Sequence, residues 1–405
     1  MPNYQTPGVY VEEIEGGSKP IEAGATNIVG FLGIAEKGPI NEATLVTNWT
    51  QYTKLFGGFH TGGWLGHAVY QFFQNGGSKC YINNLAEPNV KKNGEAGKEE
   101  TTGTKKETKP AEPDKIANPD NITKLIIGED KGVGKKTGLY LFDEIPDIAL
   151  VSAPGVTDPA AQDAILSHCE KNRFRFAILD SPETLEGGID KIPKPRDSML
   201  GAYYFPWIEM YDAAADMNVY APPSGGMCGI YSRVDSTRGV HKAPANEIFR
   251  TAVGLKYNLT DAEQELLNPR GINCIRSFPG RGIRAWGART VSSNPEWRYV
   301  NVRRLFCMVE QAIQNGTNWV VFEPNTRSLW KKITRNVTSF LLNLWKSGAL
   351  FGDTPEEAFY VRCDDELNPP ESIDAGYVVI ELGLAPAKPA EFVVFRVTQK
   401  TQGEE

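Results

Sequence analysis

Hydrophobic positions along the chain fall into short blocks whose spacing separates strands from helices. Ile28 to Ala35 is a continuous apolar run of strand length, Trp64 to Phe73 repeats at helical spacing until Asn75-Gly76-Gly77, and Lys79 to Asn84 returns as a strand. The order β, α, β recurs in Ile148 to Ser152, a helix from Asp158 to Lys171, and Phe174 to Asp180. Alternation of this kind predicts parallel pairing through a helical crossover. Further along, Val302, Leu305, Phe306, Val309, Ala312 and Ile313 place one apolar stripe on a helix that Asn315-Gly316 closes. Trp319 to Phe322 predicts a short buried strand. Thr326 predicts the cap of a long helix carrying Leu329, Trp330, Ile333, Val337, Phe340, Leu341, Leu344 and Trp345 as far as Gly348. Strands are expected at Ala358 to Cys363, Tyr377 to Leu382 and Glu391 to Lys400.

Two stretches break this pattern. Pro7 to Ile14 has strand character but stands between Pro7 and Gly16-Gly17-Ser18-Lys19-Pro20, which isolates it as an arm. Pro88 to Asn121 carries seven Lys, seven Asp or Glu, no aromatic residue, and only Val90 and Ile116 as larger aliphatics, so it cannot bury enough surface to offset its ordering entropy. That insert is expected to be a solvated loop. At 405 residues the chain exceeds what one core usually serves, and two or more domains are expected.

A net charge of -7 and a pI near 5.4 argue against a general nucleic-acid binder. No apolar stretch is long enough to span a membrane, and the opening MPNYQTPGVYVEEIEGG lacks the regions of a signal peptide, so synthesis in the cytoplasm without membrane insertion is expected. The six cysteines are too far apart for a CxxC site and are expected to be buried free thiols.

Candidate chemistry is thin. Gly128 to Gly138, GEDKGVGKKTG, offers glycine amides and lysines to a phosphate, but a Walker loop needs glycine where Glu129 stands, and GxGxxG needs one at Thr137. A turn is the expected reading; a nucleotide-binding enzyme built on it is the rival. Gly280-Arg-Gly282-Ile-Arg284 misses the dinucleotide fingerprint in the same way. None of the four histidines lies in HExxH, no GxSxG elbow occurs, and adjacent acids such as Asp364-Asp365 are ordinary surface features. No catalytic residue, metal, cofactor or small-molecule substrate is expected.

Charge is segregated in the last third. Residues 270 to 304 hold eight arginines against one acid, Glu296, a net of +7, and residues 350 to 381 hold nine acids against Arg362, a net of -8. Arginine suits interfacial pairing because its planar fork grips carboxylates bidentately. Pairing within the subunit and pairing between subunits both fit this pattern, with Arg276, Arg281, Arg284 and Arg289 facing Asp364, Asp365 and Glu366 in the second case. A nucleic-acid patch using Trp286, Trp297 and Tyr299 is a third reading, opposed by the adjoining acidic block. Both termini are apolar where chains usually fray: Val9, Tyr10 and Val11 at one, Phe392, Val393, Val394, Phe395 and Val397 at the other. Such segments either pair within their own sheet or add as strands to a neighbour's sheet edge.

The segments APPSGGMCGIYSRVDSTRGVHKAPAN (221–246), LNPRGINCIRSFPGRGIRAWGART (267–290), WRYVNVRRLFCMVEQAI (297–313), WVVFEPN (319–325) and APAKPAEFVV (385–394) resemble the contractile phage tail sheath family, which includes the sheaths of R-type pyocins and of extracellular contractile injection systems. TPGVYVEEI and IIGEDKGVGKKTGL are similar to it as well. The resemblance implies a compact two-domain α/β subunit: an N-terminal arm (1–20), an outer α/β domain (21–265) carrying the insert (88–121), an inner sheath domain (266–389) and a C-terminal strand and extension (390–405). It implies six-membered rings of this chain stacked helically around an inner tube protein, bounded by baseplate and cap proteins, in a phage tail or an extracellular injection particle. The terminal arms would exchange strands with neighbours, with Tyr377, Val378, Val379 and Ile380 as the acceptor strand. A metastable extended lattice would then contract without nucleotide. Arg327, Lys331 and Lys332 are the expected tube contacts. A paralogue at the baseplate or cap is the alternative within the family.

Overall fold

The computed structural model describes residues 20–60, 62–85, 119–392 and 394. Val9, Tyr10, Val11, Val393, Phe395, Val397 and most of the 88–121 insert lie outside the described residues. The chain forms two compact units, one of residues 24–309 with the segment that begins at Pro386, the other of residues 310–385 with 20–23.

The larger unit is built on β1 (Val29–Gly33), whose first four residues are buried on both faces, as a central parallel strand requires. After it come β2 (Thr44–Val46), α1 (Trp49–Phe56) and α2 (Leu65–Gln74), then β3 (Cys80–Asn84), which pairs parallel with β1. Asn48 caps α1 by accepting from the Gln51 N–H. The chain resumes at α3 (Pro119–Ile127), so the last three residues of the expected loop are helical, and continues to β4 (Leu150–Ser152) on the other side of β1. α4 (Pro159–Asn172), capped by Asp158, and β5 (Phe176–Asp180) complete the second predicted β, α, β unit with parallel pairing. β6 (Gly201–Phe205) extends the sheet, while β7 (Ile208–Asp212) and β8 (Met217–Ala221) leave it as a separate hairpin.

α5 (Ser224–Arg238) packs closely on α2 because its glycines leave no Cβ between them. A Cβ on Gly225 would lie 2.4 Å from the Ala68 Cα, and one on Gly229 would lie 2.5 Å from the Phe72 carbonyl oxygen. β9 (Glu247–Ile248), β10 (Gly254–Leu255) and α6 (Asp261–Leu267) follow, and then β11 (Ile272–Phe278), which pairs parallel with β6, and β12 (Gly282–Ala285). The nine-stranded order is β2-β3-β1-β4-β5-β6-β11-β12-β9. The domain boundary expected at 265/266 is therefore displaced. β11 is hydrogen-bonded into the sheet of the middle region, and the division falls inside α7 (Val300–Gly316), after Val309.

In the smaller unit α8 (Arg327–Lys346) is capped by Thr326, which accepts from the Leu329 N–H, and buries Leu329, Trp330, Ile333, Val337, Phe340 and Leu341 on one face. It is followed by α9 (Pro355–Ala358), β13 (Phe359–Arg362), α10 (Pro370–Asp374) and β14 (Glu381–Leu384), with β13 and β14 antiparallel. Two expectations fail here. Trp319 to Phe322 is not a buried strand: residues 318–320 form a 3-10 turn, Phe322 has φ +69°, and its side chain is fully exposed. Tyr377 to Ile380 is not strand either, because Asn368 occupies the peptide of Val379, accepting from its N–H at 2.7 Å and donating to its C=O at 3.0 Å. Nor do Glu391 and Phe392 belong to a strand.

Candidate assembly surfaces

A polar clamp holds the segment that begins at Pro386 onto the larger unit. Glu391 receives two bonds from the Arg289 guanidinium, at 2.8 and 2.6 Å, one from Asn268 at 3.0 Å and one from the Tyr299 hydroxyl at 3.2 Å. Arg289 is placed by the bend after β12: its N–H donates to Asn273 Oδ1 and its Nη1 to the Asn268 carbonyl. Upstream, Asn301 on α7 donates to the Ala387 carbonyl at 3.2 Å. Partial burial opposes ionisation of Glu391, yet Arg289, Asn268 and Tyr299 together hold its carboxyl below the usual range, so it is a carboxylate at neutral pH. Past the clamp the described residues are open: Phe392 is 74% and Val394 79% exposed. Residues 386–391 are thus fastened while Phe392 and Val394 are presented to solvent.

The segment entering the smaller unit is also fastened. Ile21 is buried and sits where a Cβ on Gly316 would be, 2.7 Å from its Cγ1. The same unit exposes Val321, Phe322, Phe351 and Tyr377. Sequence periodicity missed this because an apolar run has the same composition whether it is exposed or in a core strand. A left-handed, non-glycine Phe322 costs about 1 kcal/mol of backbone strain, and its exposed ring returns nothing to the isolated subunit. Of the four expected acceptor residues, Tyr377 and Val379 already have both peptide groups bonded internally. The open strand edges of this unit belong instead to β13 and β14, each paired on one side only among the described residues.

The arginine block is largely used within its own unit. Arg270 binds the carbonyls of Asp190 and Ile192, Arg276 pairs with Asp261 at 2.6 Å, and Arg289 holds Glu391. Buried Arg304 grips Asp235 at 2.9 and 2.5 Å, donates to the Thr26 carbonyl and lies 4.8 Å from the Tyr231 ring centre. Among the described residues Arg281 and Arg284 pair with no carboxylate; they bond Asn246, and Arg281 also lies over Phe278 and Trp286. The aromatic groups considered for base stacking are committed elsewhere: Trp286 packs on Phe278, Trp297 on Phe306, and Tyr299 bonds Glu391. In the smaller unit Arg362 holds Asp364 and Glu366, and Arg327 holds Asp365, all well exposed and individually weak. Along α8, Arg327, Lys331 and Arg335 follow at intervals of four on the exposed side, next to Lys332. Arg335 is a member of this stripe that the sequence reading left out.

The glycine-rich segment is a turn. The N–H groups of Gly128, Glu129, Gly132, Lys135 and Thr137 donate to Lys124, Thr137, Asp130, Gly132 and Glu129 respectively, so these five amides are engaged within the turn. Five cysteines are buried and Cys363 half-buried, all as free thiols. Among the described residues no helix is long and apolar enough to cross a membrane, and no acidic, histidine and cysteine group has metal-ligand geometry.

The chain is similar to known proteins along nearly its whole length. Residues 142–291 match the phage tail sheath protein central domain and residues 292–400 the phage tail sheath C-terminal domain. The tail sheath protein of Burkholderia phage BcepMu is 22% identical, over 98% of this chain and 96% of its own. Among solved structures, the sheath of an extracellular contractile injection system, the PVC sheath complex in its contracted state, superposes with a TM-score of 0.74 at 29% identity, covering 99% of both chains. A chain of the six-fold symmetrised baseplate of the anti-feeding prophage superposes with a TM-score of 0.71 at 28% identity, covering 98% of this chain and all of that one.

Proposed function

Because this chain belongs to the phage tail sheath family, we propose that it assembles as rings of six around an inner tube and drives that tube forward when the lattice contracts. It is a structural sheath subunit that polymerises and contracts, not an enzyme; its relatives are tail sheath proteins. The observation that carries this reading is end-to-end likeness to a contracted sheath chain at 29% identity. Six-fold symmetry in a baseplate containing a similar chain supports the ring size.

The finer roles follow from the surfaces. The C-terminal extension, fastened at Glu391 and exposed from Phe392, adds to a neighbouring subunit's small sheet, whose open edges are those of β13 and β14; Val9 to Val11 contribute from the other terminus. Head-to-tail contacts of this type do not close on themselves and so propagate as a filament. Arg281 and Arg284 re-pair with Asp364, Asp365 and Glu366 of adjacent copies as subunits rotate, whereas Arg276 and Arg289 stay with their internal partners. The smaller unit faces the tube through the basic stripe of α8. Like charges four apart on a helix repel by a few tenths of a kcal/mol per pair, a cost an acidic tube surface offsets.

Co-expression with the tube protein and electron microscopy of the product tests this. Tube-filled cylinders in two lengths and diameters support it. Monomers that remain dispersed with tube present, and bind nucleotide instead, would overturn it.

A further inference from the structure

At the carboxyl ends of the parallel strands lies a crevice that the proposed assembly contacts do not use. The chain leaves β1 first toward β3 and then toward β4 on the opposite side, and in open α/β sheets the place where strand order reverses is where ligands bind. Here it is an open cavity of about 490 Å³, within the range of pockets for small organic molecules. Ile34 follows β1, Leu85 follows β3 and Val156 follows β4; with Ile122 on α3 and Val219 on β8 they make its walls predominantly apolar.

One wall is polar, and it is built. His67, 3% exposed, is clasped by Phe59, stacked at 4.5 Å between ring centres, and by Trp64, edge-on at 5.0 Å. Its Nε2 lies 2.8 Å from Asp212 Oδ2, while Asp212 Oδ1 accepts from the N–H groups of Ala214 and Ala215. The carboxylate fixes the proton on Nε2, so Nδ1 is a bare acceptor, and among the described residues it has no partner. Burial keeps the ring neutral against the pull of Asp212. An unsatisfied buried acceptor is unfavourable, and a bound donor would satisfy it.

We propose that this crevice binds a small neutral molecule with an aromatic or branched aliphatic body and one N–H or O–H group, which supplies the donor that His67 Nδ1 lacks. Binding is independent of polymerisation. The test uses the purified full-length subunit and N-phenyl-1-naphthylamine, a neutral aromatic amine, with 1-phenylnaphthalene as the analogue without a donor. Saturable fluorescence enhancement at one site per chain is expected. Val219→Trp, which fills the cavity, and Ala215→Trp, which caps its exposed rim, should each weaken binding by about tenfold or more, with thermal stability and sheath formation retained. In nitrogen-15 spectra, simplified by there being four histidines, the amine should shift Nδ1 of His67 and the hydrocarbon should not. Unsaturable binding, or equal affinity in both variants and the parent, would overturn the site; saturable binding with an unmoved His67 resonance and no preference for the amine would overturn the role of Nδ1.

Discussion

Removing the Glu391 carboxylate should release the C-terminal extension without unfolding the subunit. In Glu391→Ala, Arg289 loses both of its bonds to the carboxylate, and Asn268 and Tyr299 each lose an acceptor. A hydrogen bond to a charged group contributes about 1.5–3 kcal/mol where water is excluded. The Arg289 and Glu391 side chains are 11% and 20% exposed, which lowers the figure, and Arg289 keeps the Asn268 carbonyl. A net loss of about 2 kcal/mol is expected, which multiplies the detached population of residues 386–391 about thirtyfold. Chymotryptic cleavage after Phe392 requires the residues before it to detach, and when reclosing is fast its rate follows that population. Cleavage of the monomer should therefore accelerate by an order of magnitude or more, with little change in the melting temperature of the rest, and sheath yield should fall. Arg289→Glu combined with Glu391→Arg should restore part of the protection. Unchanged cleavage in Glu391→Ala would refute the clamp.

Other consequences can be checked on the isolated subunit. Asp235→Asn leaves the Arg304 cation buried beside a neutral amide and should lower unfolding free energy by about 3–5 kcal/mol in urea titrations. Burial pushes the Asp180 carboxyl up to about 6 despite donors from Ser224 and Gly155, so it binds a proton more tightly when folded. Its contribution to stability is full below pH about 4 and is lost as pH rises past about 6, by roughly 3 kcal/mol in all; Asp180→Asn should flatten that part of the stability profile. Gly229→Ala puts a methyl group against the Phe72 carbonyl and should destabilise the α2–α5 packing by about 1–3 kcal/mol, seen as a lower melting temperature. Phe322→Gly should stabilise the monomer by about 1 kcal/mol by relieving its positive φ, while reducing assembly.

The sheet was legible where burial on both faces wrote continuous apolar runs, as in Val29–Gly33 and Phe176–Asp180, and where caps such as Asp158 and Thr326 marked helix starts. What local pattern could not supply was pairing over distance. Ile272–Phe278 looks like the start of a new domain until its hydrogen bonds to Gly201–Phe205 are seen, and Arg289 looks like an interface charge until Glu391, a hundred residues on, arrives beside it. Val321 and Phe322 differ from expectation for another reason: an apolar run reads as a core strand whether or not its side chains are covered, and here they are exposed. At Tyr377 to Ile380 a single side chain, Asn368, imitates a strand partner and moves the true strand four residues along.

The most direct test is a cryo-electron microscopy map of the extended sheath assembled by this chain on its tube. Glu391 should still be seated on Arg289 of its own subunit, with the chain from Phe392 onward lying on the β13–β14 edge of another. A map in which that segment turns back to pair with its own subunit, leaving adjacent copies joined by side-chain contacts alone, would contradict this arrangement.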